Sequence, residues 1–227
     1  MEQTMFDTLL GLPLFQGLGK VDLTRILEST RMEFTTVKSD TVFLHQGDLC
    51  AGLTFVIDGR AVMETYAADH RWSVVEEMAS PFVAGLEVLY GSTRTYLHSY
   101  RATSLLRLLQ MDKRTAAALT SYFEVFRLNL LNSLTTAITR REQLQWLPPA
   151  PSLDGRIIAF MRQHVSHPAG AKRFFISLPI LGTYLGEDPR YVSKALHHLA
   201  DQGLLRLGRR LIEIPNFERL VQAANHL

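Results

Sequence analysis

The sequence predicts an α+β chain with an N-terminal β jelly-roll, a long helix and a C-terminal winged helix-turn-helix. Three observations carry that prediction. Between Met32 and Met111 the chain breaks into short β-like runs separated by turn signals. Between Ser92 and Leu147 there is neither Gly nor Pro, so a long helix has room to run. From Ile176 to Ile214 the apolar period reads helix, tight turn, helix, hairpin.

From the start of the chain, Leu12-Pro13-Leu14-Phe15-Gln16-Gly17-Leu18 precedes a short helix near Val21–Ser29, with Val21, Ile26 and Leu27 inward. Strands are expected at Phe34–Val37, Val42–His45, Leu53–Asp58, Ala61–Tyr66, Ser73–Met78, Leu97–Thr103 and Leu105–Met111. Gln46-Gly47-Asp48, Asp58-Gly59 and Ala68-Asp69 supply turns between them. Many short strands at this spacing indicate a sandwich or jelly-roll barrel. Gly85–Tyr90 is too short and mixed for a strand and fits a helical turn between strands.

Ser121-Tyr122-Phe123-Glu124 fits a capping box, and the helix it opens runs to about Leu144, roughly 35 Å at the rise of an α-helix. Phe123, Phe126, Leu130, Ala137 and Leu144 repeat at three- and four-residue steps and their multiples, with Leu131, Leu134 and Ile138 alongside. Two apolar stripes on one helix would serve the barrel and a second copy of the chain; the alternative is one wide core-facing surface. Trp146-Leu147-Pro148-Pro149-Ala150-Pro151 ends the helix. The expected division is therefore residues 1–120, a dimerisation helix over 121–147, and 148–227. Ser152 then caps a helix around Leu153–Val165.

In the C-terminal part, Ser177 stands at an N-cap, and Leu178, Leu181 and Leu185 share one helix face. Gly186 breaks that helix through a left-handed cap. Asp188 and Pro189 start a second helix, whose buried stripe is Val192, Ala195, Leu196 and Leu199. Arg190, Tyr191, Ser193, Lys194 and His197 then face outward, and Gly203 closes the helix. Leu204–Leu207 and Leu211–Ile214 flank Gly208-Arg209-Arg210 as a hairpin with a basic tip. A second helix of this kind is the one that enters a DNA major groove. Helix pairs around a glycine also occur away from DNA, so charge matters. Residues 151–227 hold ten Lys+Arg against six Asp+Glu, whereas 1–150 hold fourteen against sixteen. The basic excess lies in the half that would meet phosphates.

The remaining composition mostly excludes. With 227 residues, 47% hydrophobic and 20% charged, the chain can bury its core without staples. The lone Cys50 rules out an internal disulfide or a thiolate cluster and suits a reducing compartment, so the expected location is the cytoplasm. No apolar run reaches bilayer length, and MEQTMFDTLLGL lacks a positive n-region, so no membrane role is expected. Glu76-Glu77, Asp112 and scattered histidines form no nucleophile–base–oxyanion set, which speaks against an enzyme. His45, His70 and His98 are scattered, and His197-His198 lacks companions at ligand spacing, so neither metal nor cofactor is expected.

His45-Gln46-Gly47-Asp48, Phe55-Val56-Ile57-Asp58-Gly59, Gly155-Arg156-Ile157, and Leu185-Gly186 with Val192 and Leu199 appear in an order and spacing that resembles the CRP/FNR family of bacterial transcription regulators. The resemblance runs from Leu12 to the last strand of the wing. It implies a cyclic-nucleotide-binding-like barrel, a homodimer, and a two-fold symmetric double-stranded DNA operator, with RNA polymerase as a further partner. Cyclic-nucleotide-binding members carry Gly-Glu after the sixth strand and an Arg-Ser pair further on, which hold ribose and phosphate. Matched through Gly85 and Arg101-Ala102, those anchors become Leu86, Tyr96 and Leu97. A rival alignment makes Gly91-Ser92-Thr93-Arg94-Thr95 the phosphate loop, with Arg94 as clamp and Glu87 displaced; Arg94 reads otherwise as a solvated loop residue. The effector region is thus Gly85, Leu86, Glu87, Arg94, Thr95, Tyr96 and Leu97, and tight binding of cyclic AMP is not expected. Reading-helix positions matched through Gly186 are Pro189, Arg190 and Lys194, so the DNA-facing set is Ser177, Pro189, Arg190, Tyr191, Ser193, Lys194, Arg209 and Arg210. The expected function is a homodimeric, sequence-specific DNA-binding regulator. The alternative is a small-ligand sensor whose C-terminal module contacts protein instead of DNA.

Overall fold

A computed structural model describes residues 5–224. In chain order the elements are α1 (Met5–Leu10), α2 (Lys20–Ser29), β1 (Glu33–Val37), β2 (Val42–Leu44), β3 (Gly52–Asp58), β4 (Arg60–Tyr66), β5 (Ser73–Ala79), β6 (Phe82–Ala84), a 3-10 turn (Leu86–Val88), β7 (Ser99–Ala102) and β8 (Leu106–Asp112). They continue with α3 (Lys113–Tyr122), α4 (Glu124–Gln145), α5 (Leu153–His164), β9 (Lys172–Phe175), α6 (Leu178–Leu185), α7 (Pro189–Asp201), β10 (Arg206–Gly208), β11 (Leu211–Ile214) and α8 (Phe217–Ala223). The chain divides into two compact units, one of Met1–Val62 with Met78–Arg140 and one of Met63–Glu77 with Arg141–Leu227.

The first unit is the jelly-roll. One antiparallel sheet has the order β1-β8-β3-β6, and the start of β4 joins β7 and β2 in the other. β3 lies between β8 and β6, with Thr54 opposite Gln110 on one side and Ala84 on the other. Its run Gly52–Val56 is buried throughout, because helices cover the sheet there as well. Phe15 is the joint of this core: its ring meets Phe55 edge-on at 5.5 Å and Phe126 at 5.2 Å. Asn129 fastens α4 to the same corner, donating to the carbonyls of Leu14 (3.2 Å) and Gln16 (2.8 Å).

Two expectations for the helical region are corrected here. Ser121 caps nothing; it lies inside α3 and donates to the Ala117 carbonyl at 2.9 Å. Asp112 begins α3 by accepting the Thr115 N–H at 2.7 Å, and the chain steps out of helix at Phe123 before α4 starts. That break is driven by packing: Ala116 and Leu119 turn into the core from one helix and Phe126 from the next. The second correction concerns the seam. Phe126 and Leu130 are 0% and 2% exposed within this unit's own core, and Phe123 packs against it. Ala137 is exposed and Leu144 half-buried. The large apolar side chains that α4 leaves open are Leu128, Leu131 and Ile138.

The second unit is built on α5, α6, α7 and α8 with the sheet order β10-β11-β9-β5. Phe174, Ile157, Met161, Val192, Leu196 and Phe217 form its core, and Trp72 and Val74 belong to the same cluster. The stretch 63–77 is held by strand pairing, from Ser73 opposite Phe175 to Glu76 opposite Lys172. It is also held by buried charge. The Glu76 carboxylate accepts the N–H groups of Ser166 (2.7 Å) and His167 (2.9 Å) and lies 3.3 Å from the Lys172 ammonium. Lys172 also donates to the Ala169 carbonyl at 2.6 Å, and both charged side chains are fully buried. Burial alone would push the Glu76 carboxyl up; its hydrogen bonds and the Lys172 charge more than offset that and hold it below the usual range.

Candidate nucleic-acid interface

The helix-turn-helix is α6, a turn and α7. Ser152 opens α5 by accepting the Gly155 N–H at 3.0 Å. Arg156 of that helix then reaches the turn, pairing with Glu187 at 2.5 Å and donating to the Leu185 carbonyl at 3.4 Å. At the end of α6, Glu187 N–H reaches the Gly182 carbonyl at 2.9 Å, which closes the last turn around Gly186. A Cβ on Gly182 would stand 2.7 Å from the Glu187 carbonyl oxygen, so only glycine allows the chain to return this closely. The buried face of α6 is Ile180, Leu181 and Gly182, whereas Leu178 is open and Leu185 half-buried, which shifts the expected leucine face by part of a turn. Ser177 occupies the N-cap but makes no capping hydrogen bond.

α7 begins at Asp188, whose carboxylate accepts the Arg190 N–H at 2.8 Å. The same carboxylate grips the Arg190 guanidinium through Nε and Nη2, each at 3.0 Å. The pair is exposed; Arg190 lowers the Asp188 pKa and Asp188 raises that of Arg190. Arg190 therefore folds onto Asp188, while Arg156 braces Glu187. Val192, Ala195, Leu196 and Leu199 are buried, as the period predicts, while Arg190, Tyr191, Lys194 and His197 are exposed and Pro189 and Ser193 half-buried. Gly203 N–H to Ala200 (2.8 Å) and Leu204 N–H to Leu199 (3.1 Å) end the helix and lead into the wing. At the wing tip Gly208 faces Leu211, with Arg209 and Arg210 between them, both exposed. Arg210 adopts φ 57°, a left-handed conformation that favours Gly or Asn.

The expected effector residues of the jelly-roll unit differ in burial and surroundings. Gly85 precedes the 3-10 turn at φ 81°, and Tyr96 lies so close that a Cβ on Gly85 would stand 2.7 Å from its ring. Burial, with Cys50 beside it, pushes the Tyr96 hydroxyl up to about 12. Cys50 is itself buried, its thiol turned to the Gly52 carbonyl at 3.3 Å. Leu86 is half-buried against the core, Glu87 and Arg94 are exposed, and Thr95 pairs with Leu49. Leu97 is half-buried. A cavity of about 900 Å³ opens instead beside Arg31, Phe34, His45, Asp48 and Gln110, and of the seven expected residues only Tyr96 lines it. Among the described residues no cluster of His, Cys, Asp or Glu is arranged to hold a metal ion, and no helix is long and apolar enough to cross a membrane.

The sequence matches no family model and no curated protein. Among solved structures, the chain is similar to a CRP/FNR-family transcriptional regulator from Eubacterium rectale, with 19% identity over 94% of this chain and 98% of that chain at a TM-score of 0.51. It is similar to the sensor domain of the transcriptional regulator DNR from Pseudomonas aeruginosa, with 16% identity over 64% of this chain and 93% of that chain at a TM-score of 0.50. The catabolite activator protein of Thermus thermophilus aligns over 95% of this chain and 99% of that chain, with 20% identity and a TM-score of 0.49. At such identities the likeness is one of fold. The chain has the fold of the CRP/FNR-type regulators, a jelly-roll unit and a winged helix-turn-helix in one polypeptide.

Proposed function

We propose that this chain is a sequence-specific DNA-binding transcription regulator, working as a homodimer on a two-fold symmetric operator. The observation that carries the reading is the exposed face of α7. Arg190, Tyr191, Lys194 and His197 project from a helix whose other face is locked in the core, and the Arg209-Arg210 wing stands on the same module. Arg190 has the bidentate fork that reads guanine, pre-oriented by Asp188; Lys194 reaches a base or phosphate. Arg209 and Arg210 supply phosphate contacts. Leu128, Leu131 and Ile138 on α4 supply a seam for the second copy. Matched through Gly85 and Arg101-Ala102, Tyr96 stands where the resemblance puts a phosphate-holding Arg, and its ring packs on Gly85, which supports a signal other than cyclic AMP. RNA polymerase remains a partner by resemblance.

The rival is a sensor whose C-terminal module contacts protein. Duplex binding titrated against salt separates the two, since phosphate contacts release counterions and give a steep negative slope. Tight, salt-dependent binding with preference for one duplex over its scrambled form supports the regulator; flat, absent binding favours the sensor.

A further inference from the structure

A second opening lies on the winged helix-turn-helix itself, in the groove between α6, α7 and the wing. Its volume is about 350 Å³. The floor is aliphatic, made by Ile176, Leu181, Leu196, Leu207, Leu211 and Ile212. The rim is of a different chemistry. Arg209 and Arg210 stand at one side, and no ion pair holds either of them among the described residues. His197, whose ring Nδ1 is engaged with the Ser193 carbonyl at 2.8 Å, also lines the groove. Ser177, whose hydroxyl is not spent on capping, lies where the N-terminus of α6 opens into the groove and carries partial positive charge. Not one of the lining residues is Asp or Glu.

We infer that this groove binds a small anionic amphiphile, a carboxylate carrying a short acyl or aryl body. The body covers the aliphatic floor and the carboxylate meets the guanidinium rim, where paired N–H donors match its two oxygens. A bare phosphate would satisfy the rim and leave the floor against water. The groove shares Ser177, Ser193, Arg209 and Arg210 with the DNA-facing set. The bound acid therefore competes with DNA, a consequence that rests on the regulator reading. A signal of this kind enters at the reading head and does not need the jelly-roll anchors that Leu86, Tyr96 and Leu97 replace.

Octanoate is the probe, titrated into the full chain by calorimetry, with acetate and 1-octanol as controls that lack the body or the charge. Saturable binding in the submillimolar range is expected, with both controls weaker by about tenfold or more. Leu207→Glu sets a carboxylate on the rim of the floor at a partly exposed position and should weaken octanoate about tenfold or more. The Arg209→Gln/Arg210→Gln pair, both exposed, gives a second variant with little risk to folding and should do the same. No saturable binding, equal binding of 1-octanol, or undiminished binding by both variants overturns the inference. Octanoate should also displace duplex DNA in a fluorescence-anisotropy competition. Variant-sensitive octanoate binding without displacement supports the groove and contradicts the DNA reading of that face.

Discussion

Lys172→Met tests whether the stretch 63–77 is part of the C-terminal unit, as its buried charge pair requires. The Lys172 ammonium and Glu76 carboxylate are 3.3 Å apart and fully buried. At an effective dielectric of about 20 that separation corresponds to about 5 kcal/mol of attraction, set against the desolvation of both ions. Removing the ammonium alone leaves Glu76 with its two N–H donors and the His167 ring at 3.6 Å, and one-sided loss of a buried pair costs roughly 3–5 kcal/mol. The transition that reports the C-terminal unit should fall by roughly 15 °C or more. The double variant Glu76→Leu/Lys172→Met removes both charges and should recover most of that loss. Scanning calorimetry of the full chain measures each. A single variant within about 1 kcal/mol of the parent, or a double variant no better than the single, would refute the reasoning. The same pair makes a pH statement. Glu76 titrates below its unfolded value, so its contribution is full above about 4.3 and is lost as pH falls through the lower folded value. His164 acts in the same direction at higher pH: burial lowers its pKa, outweighing its bond to the Phe160 carbonyl, so stability declines as pH drops below about 6.5. Melting across an acid series should show both losses.

The other predictions address the interface, the seam and the barrel. Arg190→Ala should cost about 1–3 kcal/mol on the operator and relax preference at one base position per half-site, while an unchanged ratio of operator to scrambled duplex would remove Arg190 from the readers. Arg210→Gly should stabilise the wing by about 1 kcal/mol, because φ 57° suits glycine, yet lower DNA affinity and reduce the salt slope by about one unit. Leu131→Asp or Ile138→Asp should give folded monomers by light scattering, since both side chains are exposed. Phe126→Ala should instead lower stability by about 3–5 kcal/mol, as a core deletion does. Cyclic AMP should show no micromolar binding by calorimetry; such binding would overturn the argument from Tyr96 and Gly85.

What the sequence made legible follows from the range of the interactions. The strands β1 to β5, β7 and β8, the helices α5 to α7 and the wing announce themselves by local period, caps and turn residues, so their expected bounds lie close to the observed ones. The short strands β6 and β9 and the helix α1 carry no such local signal, whereas α3 and α8 do open on local caps, Asp112 and Asn216, that the expected elements leave out. The break at Phe123 has neither Gly nor Pro and comes from where Leu119 and Phe126 must be buried. The exchange of roles on α4 has the same origin. Period showed two stripes, but only the fold says that Phe126 meets Phe15 and that Leu131 and Ile138 are left open. The pairing of Glu76 with Lys172 leaves no signal in the sequence, because a pair formed across ninety-odd residues has no spacing to read. In the interface, the outward face of α7 was readable from the heptad-like pattern, whereas the Asp188 grip on Arg190 and the strained φ of Arg210 were not.

Selection from a random duplex pool with the full chain tests the central claim most directly, since it asks for sequence preference and symmetry together. The account predicts enrichment of one two-fold symmetric site whose half-sites are centred about one helical turn apart, and loss of that enrichment at one position per half-site in Arg190→Ala. A pool that stays unenriched, or is retained equally whatever its sequence, would contradict it.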